Sequence, residues 1–187
     1  MSTEAERSTA RVAIPDGVKL VPGPRTVRAE GPKGKVARAF PSDVLALTVV
    51  GSEAQLALKV PSSRKRDRAL LNTWAAHLRN LVGGVARGVE ARMKVVAAHF
   101  PMKVQAKEAT LVIENFLGEK YPRTAHLIAG VEAVVDGDIV TLRGADVEIV
   151  GQSAANVERT TRIRDYDPRV FQDGIYLIER AHVLEAA

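Results

Sequence analysis

The sequence predicts an α+β fold made of two duplicated small domains, each an antiparallel sheet packed against one helix. Short β-like runs separated by turn residues fill the first part of the chain, and a long stretch with apolar residues at helical spacing follows them. The same order, strands and then a helix, begins again after Gly88. Internal duplication of a sheet-plus-helix unit accounts for these observations.

The predicted domain boundaries follow from the same patterns. Residues 1–11 mix charged with small polar residues, so we expect a flexible N-terminal tail. Residues 12–88 then form the first sheet-plus-helix domain and residues 89–187 the second. The halves correspond best in their middles, where Ala46–Gly51 and Ala133–Gly137 both precede strand and helix signals.

The strands of the first domain are predicted from aliphatic and β-branched runs between turn residues such as Pro, Gly, Asp and Ser. They cover residues 12–14, 18–21, 26–29, 35–40, 46–50 and 55–60. Spacing this regular implies an antiparallel meander. The stretch Gly31-Pro32-Lys33-Gly34 is interpreted as a hairpin turn, because it lacks the spacing of a phosphate-binding loop that leads into a helix.

The first helix is predicted to open at Ser62 or Ser63, since serine is a favourable N-cap residue. The pair Gly83–Gly84 is expected to end it. Between these points an apolar stripe recurs every three or four residues: Leu70, Trp74, Leu78, Leu81 and Val85.

The second domain repeats the strand signals. Predicted strands cover residues 95–99, 102–105, 110–116, 125–128, 131–135, 139–142 and 146–150. Hairpin signals stand at Asp136-Gly137-Asp138 and at Gly144-Ala145.

The last part of this domain is predicted to place a short helix on the sheet. Alternation of Val147 and Ile149 with acidic residues predicts a half-buried strand over Asp146–Val150, and Ser153 is the expected N-cap of the helix that follows. Asp167-Pro168 is expected to stop that helix, because the residue before proline is pushed out of the α region. Asp173-Gly174 would then turn the chain into a strand over Ile175–Ile178.

Charge is unevenly spread along the chain. The formal net charge is +5, which favours a polyanionic partner such as nucleic acid. Residues 1–88 hold 15 Lys and Arg against 7 Asp and Glu, a net +8, whereas residues 89–187 hold 12 against 15, a net −3. Charge alone therefore indicates that the first half binds the polyanion.

Composition and the pattern of apolar residues argue against a disulfide-linked, a secreted or a membrane-spanning protein. The chain has no cysteine, which excludes disulfides and thiolate metal sites, and its hydrophobic content of 46% is typical of a globular protein. The N-terminus lacks the apolar segment of a signal peptide, and no apolar run approaches the roughly 18 residues of a membrane span. We therefore expect a soluble intracellular protein, and the absence of cysteine suits the reducing cytoplasm.

No constellation of residues predicts catalysis. The histidines, His77, His99, His126 and His182, show no metal-ligand spacing, and the serines lack a nucleophile-elbow sequence. The acidic residues Asp136, Asp138, Asp146 and Glu148 are interpreted as solvated surface. We expect no enzyme, no cofactor, no metal and no small-molecule substrate.

Basic residues form three groups. Arg64, Lys65, Arg66 and Arg68 crowd the start of the first helix, where each cation opposes the helix dipole by roughly 0.3–1 kcal/mol. A bound polyanion would compensate this cost, and a solvated run of charge explains the cluster equally well.

The second group is predicted around the far end of the second helix and comprises Arg159, Arg162, Arg164, Arg169 and Arg180. Lys120 and Arg123 form the third, where Tyr121, like Tyr166, is expected to pack rather than to stack on a base.

Several segments resemble one known family. The segment Arg169–Arg180 has the sequence RVFQDGIYLIER and is preceded by Gly151–Asn156. These segments are similar to the C-terminal signature of the family of large-subunit ribosomal protein L-six, in its archaeal and eukaryotic form. Arg68–Asn72, Glu30–Gly34 and Gly144–Asp146 resemble other fixed points of that family. The matches fall in sequence order over nearly the whole chain.

The resemblance implies a function for the second domain. The family binds large-subunit ribosomal RNA (rRNA) mainly through that domain, near the factor-binding region and the sarcin–ricin loop. We expect Arg and Lys to contact phosphate and ribose, so that RNA shape rather than base sequence is recognised. Neighbouring ribosomal proteins are the other expected partners. Asp173 and Gly174 are expected to set the shape of the site. The full RNA-binding set carried onto this sequence is Lys120, Arg123, Arg162, Arg164, Arg169, Asp173, Gly174 and Arg180.

Two alternatives stay open at this point. A free-standing RNA-binding or RNA-processing factor could use the same duplicated fold, and a protein-interaction module is a third interpretation. Bulk charge and family resemblance also indicate different domains as the main RNA binder. On the family interpretation, the patch Arg64–Arg68 is a secondary or neighbour-facing surface.

Overall fold

The computed structural model describes residues 9–60, 64–167 and 169–185, which form two compact units. One unit comprises the described residues up to Gly88 together with Glu185, and the other comprises Val89–Leu184. Both combine antiparallel sheets with one helix, so the predicted α+β class is confirmed. No helix among the described residues is long and apolar enough to cross a membrane. Residues 1–8 of the predicted tail, the helix start at Ser62 or Ser63, and Pro168 lie outside the described residues.

The first unit has two three-stranded sheets rather than the single sheet expected. Its strands are β1 (Thr9–Ala13), β2 (Lys19–Pro22), β3 (Thr26–Gly31), β4 (Gly34–Ala39), β5 (Leu45–Val50) and β6 (Glu53–Leu58). Strands β2, β3 and β4 form a meander as predicted, but β1 pairs with β6 in a sheet of order β1-β6-β5. Residues 9–11, assigned to the tail from the sequence, are therefore part of a strand.

Helix α1 (Lys65–Arg87) packs on strands of the first unit. Its predicted end at Gly83–Gly84 is wrong: both glycines are buried inside the helix, which continues to Arg87 and ends at Gly88 with φ 94°. Burial on the sheet overrides the weak intrinsic helix propensity of glycine here. The helix begins after Arg64, which provides no side-chain cap.

The second unit also has two sheets. A four-stranded sheet of order β11-β12-β7-β13 and a three-stranded sheet of order β10-β9-β8 surround one core, which includes Met93, Ile113 and Leu142. The predicted strand at 95–99 is displaced, because β7 already begins at residue 89 and ends at residue 96. The strands are β7 (Val89–Val96), β8 (Lys103–Lys107), β9 (Thr110–Glu114), β10 (Arg123–His126), β11 (Glu132–Asp136), β12 (Ile139–Gly144) and β13 (Gly174–Val183).

The predicted strand at Asp146–Val150 is wrong. These residues open helix α2 (Val147–Thr160), which packs on β13, β7, β12 and β10. Its N-cap is Asp146, whose carboxylate accepts the Glu148 N–H at 2.9 Å, and not Ser153. Four alternating residues are too few to distinguish the two-residue period of a strand from the period of a helix, about 3.6 residues. The buried face of the helix can be recognised only when Val150 is considered together with Ala154 and Val157.

The position of Ser153 and two further boundaries differ from the prediction. Ser153 lies inside α2, fully buried, and its hydroxyl accepts the Ile128 N–H at 3.0 Å. The helix ends at Thr160, before Asp167-Pro168. The final strand β13 extends beyond the predicted 175–178, with register irregularities between Leu177 and His182.

Candidate nucleic-acid interface

Basic side chains of the second unit meet at the C-terminal end of α2. Arg123, Arg159, Arg162 and Arg164, together with Glu119 and Thr160, line one open pocket of about 370 Å³. Four guanidinium groups against one carboxylate leave a local excess of positive charge. This excess lies in the half of the chain whose net charge is −3.

Arg123 is held in place by several contacts. Its Nε and Nη2 donate to the two carboxylate oxygens of Glu119 at 2.8 and 2.6 Å, and its Nη1 donates to the carbonyls of Thr160 at 2.7 Å and Arg162 at 3.3 Å. The guanidinium also lies 4.2 Å from the centroid of the Phe116 ring. Hydrogen bonding from Arg123 lowers the pKa of Glu119. Arg123 therefore supports the wall of the pocket by satisfying carbonyls at a helix end, which have no partner inside the helix.

The other three arginines of the pocket differ from Arg123. Arg159, Arg162 and Arg164 are exposed, and no carboxylate within the described parts of the chain forms an ion pair with them. Their positive charges interact favourably with the negative end of the α2 dipole, which lies at the C-terminus of the helix. Their guanidinium groups remain available to an external anion.

A loop carries three of the basic residues beyond the helix. We call residues 162–172 the basic loop; it contains Arg162, Arg164 and Arg169 and is described except at position 168. At its start, buried Thr161 accepts the Ile175 N–H on its hydroxyl at 3.1 Å, which joins the end of α2 to the start of β13.

At the other end of the basic loop, Asp173 is fully buried. Burial alone raises the pKa of its carboxyl, but hydrogen bonds from the backbone and side chain of His99 and the backbone of Phe100 outweigh it and lower the pKa below its usual value. Gly174 is also buried, and a β-carbon there would stand 3.2 Å from ring atoms of Tyr176. The role expected of Asp173 and Gly174 in setting the shape of the site stays a prediction.

The remaining predicted site residues are spread over the unit. Lys120 is exposed in the loop before β10, and its neighbour Tyr121 is 85% exposed, so the expectation that Tyr121 packs is wrong. Tyr166 does pack, with its ring centroid 4.8 Å from that of Phe171. Arg169 is exposed after a turn in which its N–H donates to Asp167 at 2.9 Å.

Arg180 does not lie at the far end of α2, where it was expected. The neighbouring Ala181 packs near Gly151 in the N-terminal half of α2, whereas Ile175 contacts Thr161 at the C-terminal end. Five residues of extended strand, roughly 16 Å, separate Ile175 from Arg180.

The secondary basic patch belongs to the first unit. Its exposed residues surround the first turn of α1, with Asp67 among them: Arg64, Lys65, Arg66 and Arg68.

Within the residues that the structure describes, no group of three or more His, Asp or Glu could hold a metal ion.

Sequence reasoning left three residues out of the site. Arg159 lines the pocket with Arg162, a neighbour at helical spacing that the sequence could have indicated. Glu119 pairs with Arg123 at an i,i+4 spacing that was also visible. His99 had no such signal, because its partner Asp173 lies 74 residues away.

Comparison with known proteins identifies the family. Residues 100–174, which enclose the pocket and the basic loop, match the family model of ribosomal protein L6. The large ribosomal subunit protein uL6 of Methanosarcina mazei is 43% identical over 170 residues, which cover 91% of this chain and 96% of that protein. The uL6 protein of Methanobrevibacter smithii is 44% identical over 169 residues, covering 90% and 94%. The chain belongs to the uL6 family of large ribosomal subunit proteins.

Membership confirms the resemblance found in the sequence. The uL6 protein of Archaeoglobus fulgidus, 38% identical over 174 residues, covers 90% of this chain and is covered over 88% of its own length. As a uL6 protein, the chain is a component of the large ribosomal subunit and not an enzyme. This favours the ribosomal role over a free-standing RNA-processing factor.

Proposed function

We propose that this uL6 protein binds large-subunit rRNA mainly through its second unit, near the translation-factor-binding region and the sarcin–ricin loop. Arg159, Arg162 and Arg164 at the end of α2 form the centre of the contact. Their planar guanidinium groups bind phosphate oxygens in pairs, so they recognise the path of the RNA backbone rather than its base sequence.

One observation carries the proposal: three exposed guanidinium groups line a single pocket without a carboxylate partner among the described residues. Like charges held close together repel one another, and the compensating attraction of the α2 dipole, about 0.3–1 kcal/mol for each charge, falls off within the last turn of the helix. A phosphate backbone removes that repulsion and releases its own counterions on binding. The pocket is therefore better suited to a polyanion than to solvent.

The net negative charge of the second unit does not oppose this site. An RNA strand at the pocket meets the nearest charges first, because those farther than a Debye length of about 8 Å are screened.

The other predicted residues take different parts in this contact. Lys120 and Arg169, which are both exposed, add further phosphate contacts, and exposed Tyr121 offers a ring on which an unpaired base can stack. Arg123, Asp173 and Gly174 shape the site. Arg180 and the patch Arg64–Arg68 are secondary contacts for RNA or for neighbouring ribosomal proteins.

Binding of the full chain to large-subunit rRNA purified from Methanosarcina mazei, measured at several salt concentrations, tests the proposal. Substitution of Arg162→Gln with Arg164→Gln is expected to weaken binding and to lower the slope of log affinity against log salt by about 1.5, because two phosphate contacts are lost. Lys65→Gln with Arg66→Gln removes the same charge from the first unit and is the matched control. A larger loss in the control pair would show that bulk charge in the first unit, and not the pocket, binds the RNA.

A further inference from the structure

His99 holds the far end of the basic loop, although the function proposed above assigns it no part. Its backbone N–H donates to Asp173 Oδ1 at 2.9 Å, and its ring Nδ1 lies 2.7 Å from Asp173 Oδ2. An ionised carboxylate only accepts hydrogen bonds, so Nδ1 carries the proton in this pair. His99 follows β7, which makes the contact a link between the sheet and the loop.

The His99 ring also packs against an aromatic side chain of the basic loop. The His99 ring centroid lies 4.7 Å from that of Phe171, and Phe171 lies 4.8 Å from Tyr166. Tyr176 adds a hydrogen bond from its hydroxyl to the Gln172 carbonyl at 3.1 Å. The imidazole is thus both a hydrogen-bond donor to buried Asp173 and the base of a small aromatic stack that reaches the middle of the basic loop.

The near end of the loop is held by Arg123, and a hydrogen bond between Thr161 and Ile175 joins the two ends. Arg123 donates to the carbonyls of Thr160 and Arg162, and Thr161 receives the Ile175 N–H. Eleven residues, 162–172, therefore run between two fixed points. Release of either point allows the arginines to take many more positions, and RNA binding must then order them again at a cost in affinity.

We propose that His99 and Asp173 are a positioning pair that holds the basic loop in the conformation that binds rRNA. The proposal rests on the function proposed above, and it assigns a purpose to a fully buried carboxylate that no RNA group needs to touch. His99 acts through the loop and does not itself contact a phosphate.

The test compares Asp173→Asn, His99→Phe and His99→Asn in the full chain, with rRNA from Methanosarcina mazei as the probe. Asp173→Asn removes the negative charge and leaves one acceptor oxygen for the two N–H groups of His99, and His99→Phe keeps a ring but loses the donor. Both are expected to weaken binding by about tenfold, as when only a tenth of the molecules are binding-competent, without changing the salt slope. His99→Asn keeps a donor near the position of Nδ1 and is expected to recover part of the loss.

A second readout follows the loop itself. Amide hydrogen exchange at residues 162–172 is expected to speed up in Asp173→Asn and His99→Phe, while exchange in the core strands stays unchanged. His182→Phe alters an exposed histidine elsewhere on β13 and is the matched control, expected to bind and exchange as the original chain does. If Asp173→Asn does not fold, the two His99 variants provide the test. The His99 side chain is 36% exposed, so its substitution disturbs the core less than substitution of buried Asp173.

The possible results separate this proposal from the function on which it rests. Unchanged affinity in the His99 and Asp173 variants, with weak binding by Arg162→Gln/Arg164→Gln, would overturn the positioning pair and leave rRNA binding by the pocket intact. A salt slope lowered by about 0.7 in His99→Phe would mean that His99 contacts a phosphate directly, which also overturns it. Normal binding by the double arginine variant would refute the proposed function, and the positioning pair with it.

Discussion

Gly31 lies directly against the backbone of Val85: a β-carbon at position 31 would stand 2.5 Å from the Val85 carbonyl oxygen. The same carbonyl accepts the Lys33 N–H at 2.9 Å. The turn between β3 and β4 is thus docked on α1, near the glycine pair that the sequence predicted as the end of this helix.

Gly31→Ala is expected to destabilise the first unit by about 1–3 kcal/mol, because the added methyl group meets backbone atoms that cannot rotate away. Chemical denaturation followed by circular dichroism measures the change. A variant as stable as the original chain would show that the turn moves freely off the helix.

Gly151→Ala is the opposite case. This glycine lies inside α2, where a β-carbon would stand 3.8 Å from the Ala181 side chain, an ordinary contact distance. Alanine has the better helix propensity, so we expect a gain of about 0.5–1 kcal/mol in the free energy of unfolding. A loss of stability would mean that α2 and β13 pack more closely than the structure shows.

Arg123→Lys should lower the free energy of unfolding of the second unit by about 1–2 kcal/mol. Lysine cannot reach Glu119 and the carbonyls of Thr160 and Arg162 at the same time, and it lacks the planar contact with Phe116. Arg169→Lys, at an exposed side chain, is the control and is expected to change stability by less than about 0.5 kcal/mol. Equal effects of the two substitutions would contradict the supporting role of Arg123.

Glu90 predicts a pH dependence of stability. Burial raises the pKa of its carboxyl, but hydrogen bonds and charge from Arg92 and Arg143 outweigh burial and hold the pKa below its usual value. A lowered pKa in the folded state stabilises the protein above the ordinary carboxyl pKa of about 4.3, and that stability is lost as pH falls through the folded value.

Denaturation between pH 2 and pH 7 in the original chain and in Glu90→Gln measures this contribution. Glu90→Gln is expected to be less stable near neutral pH and to lose less stability on acidification. Parallel pH profiles would show that Glu90 contributes nothing to the acid sensitivity of the protein.

The sequence by itself determined the fold class, the repetition of the sheet-plus-helix unit and the family. These features depend on local patterns: turn residues between short aliphatic runs, the apolar stripe from Leu70 to Val85, and the signature over Arg169–Arg180. The sequence also identified most of the basic residues near the end of α2, because charge and order along the chain are visible without a structure.

Only the tertiary structure decided how those residues are used. Burial against the sheets places Gly83 and Gly84 inside α1 and turns the alternating residues after Asp146 into the first turn of α2. Contacts between distant parts of the chain hold Arg123 on the end of a helix and join His99 to Asp173. Local propensities differ by at most about 1 kcal/mol per residue for most residues, so packing and long-range hydrogen bonds decide wherever the two disagree.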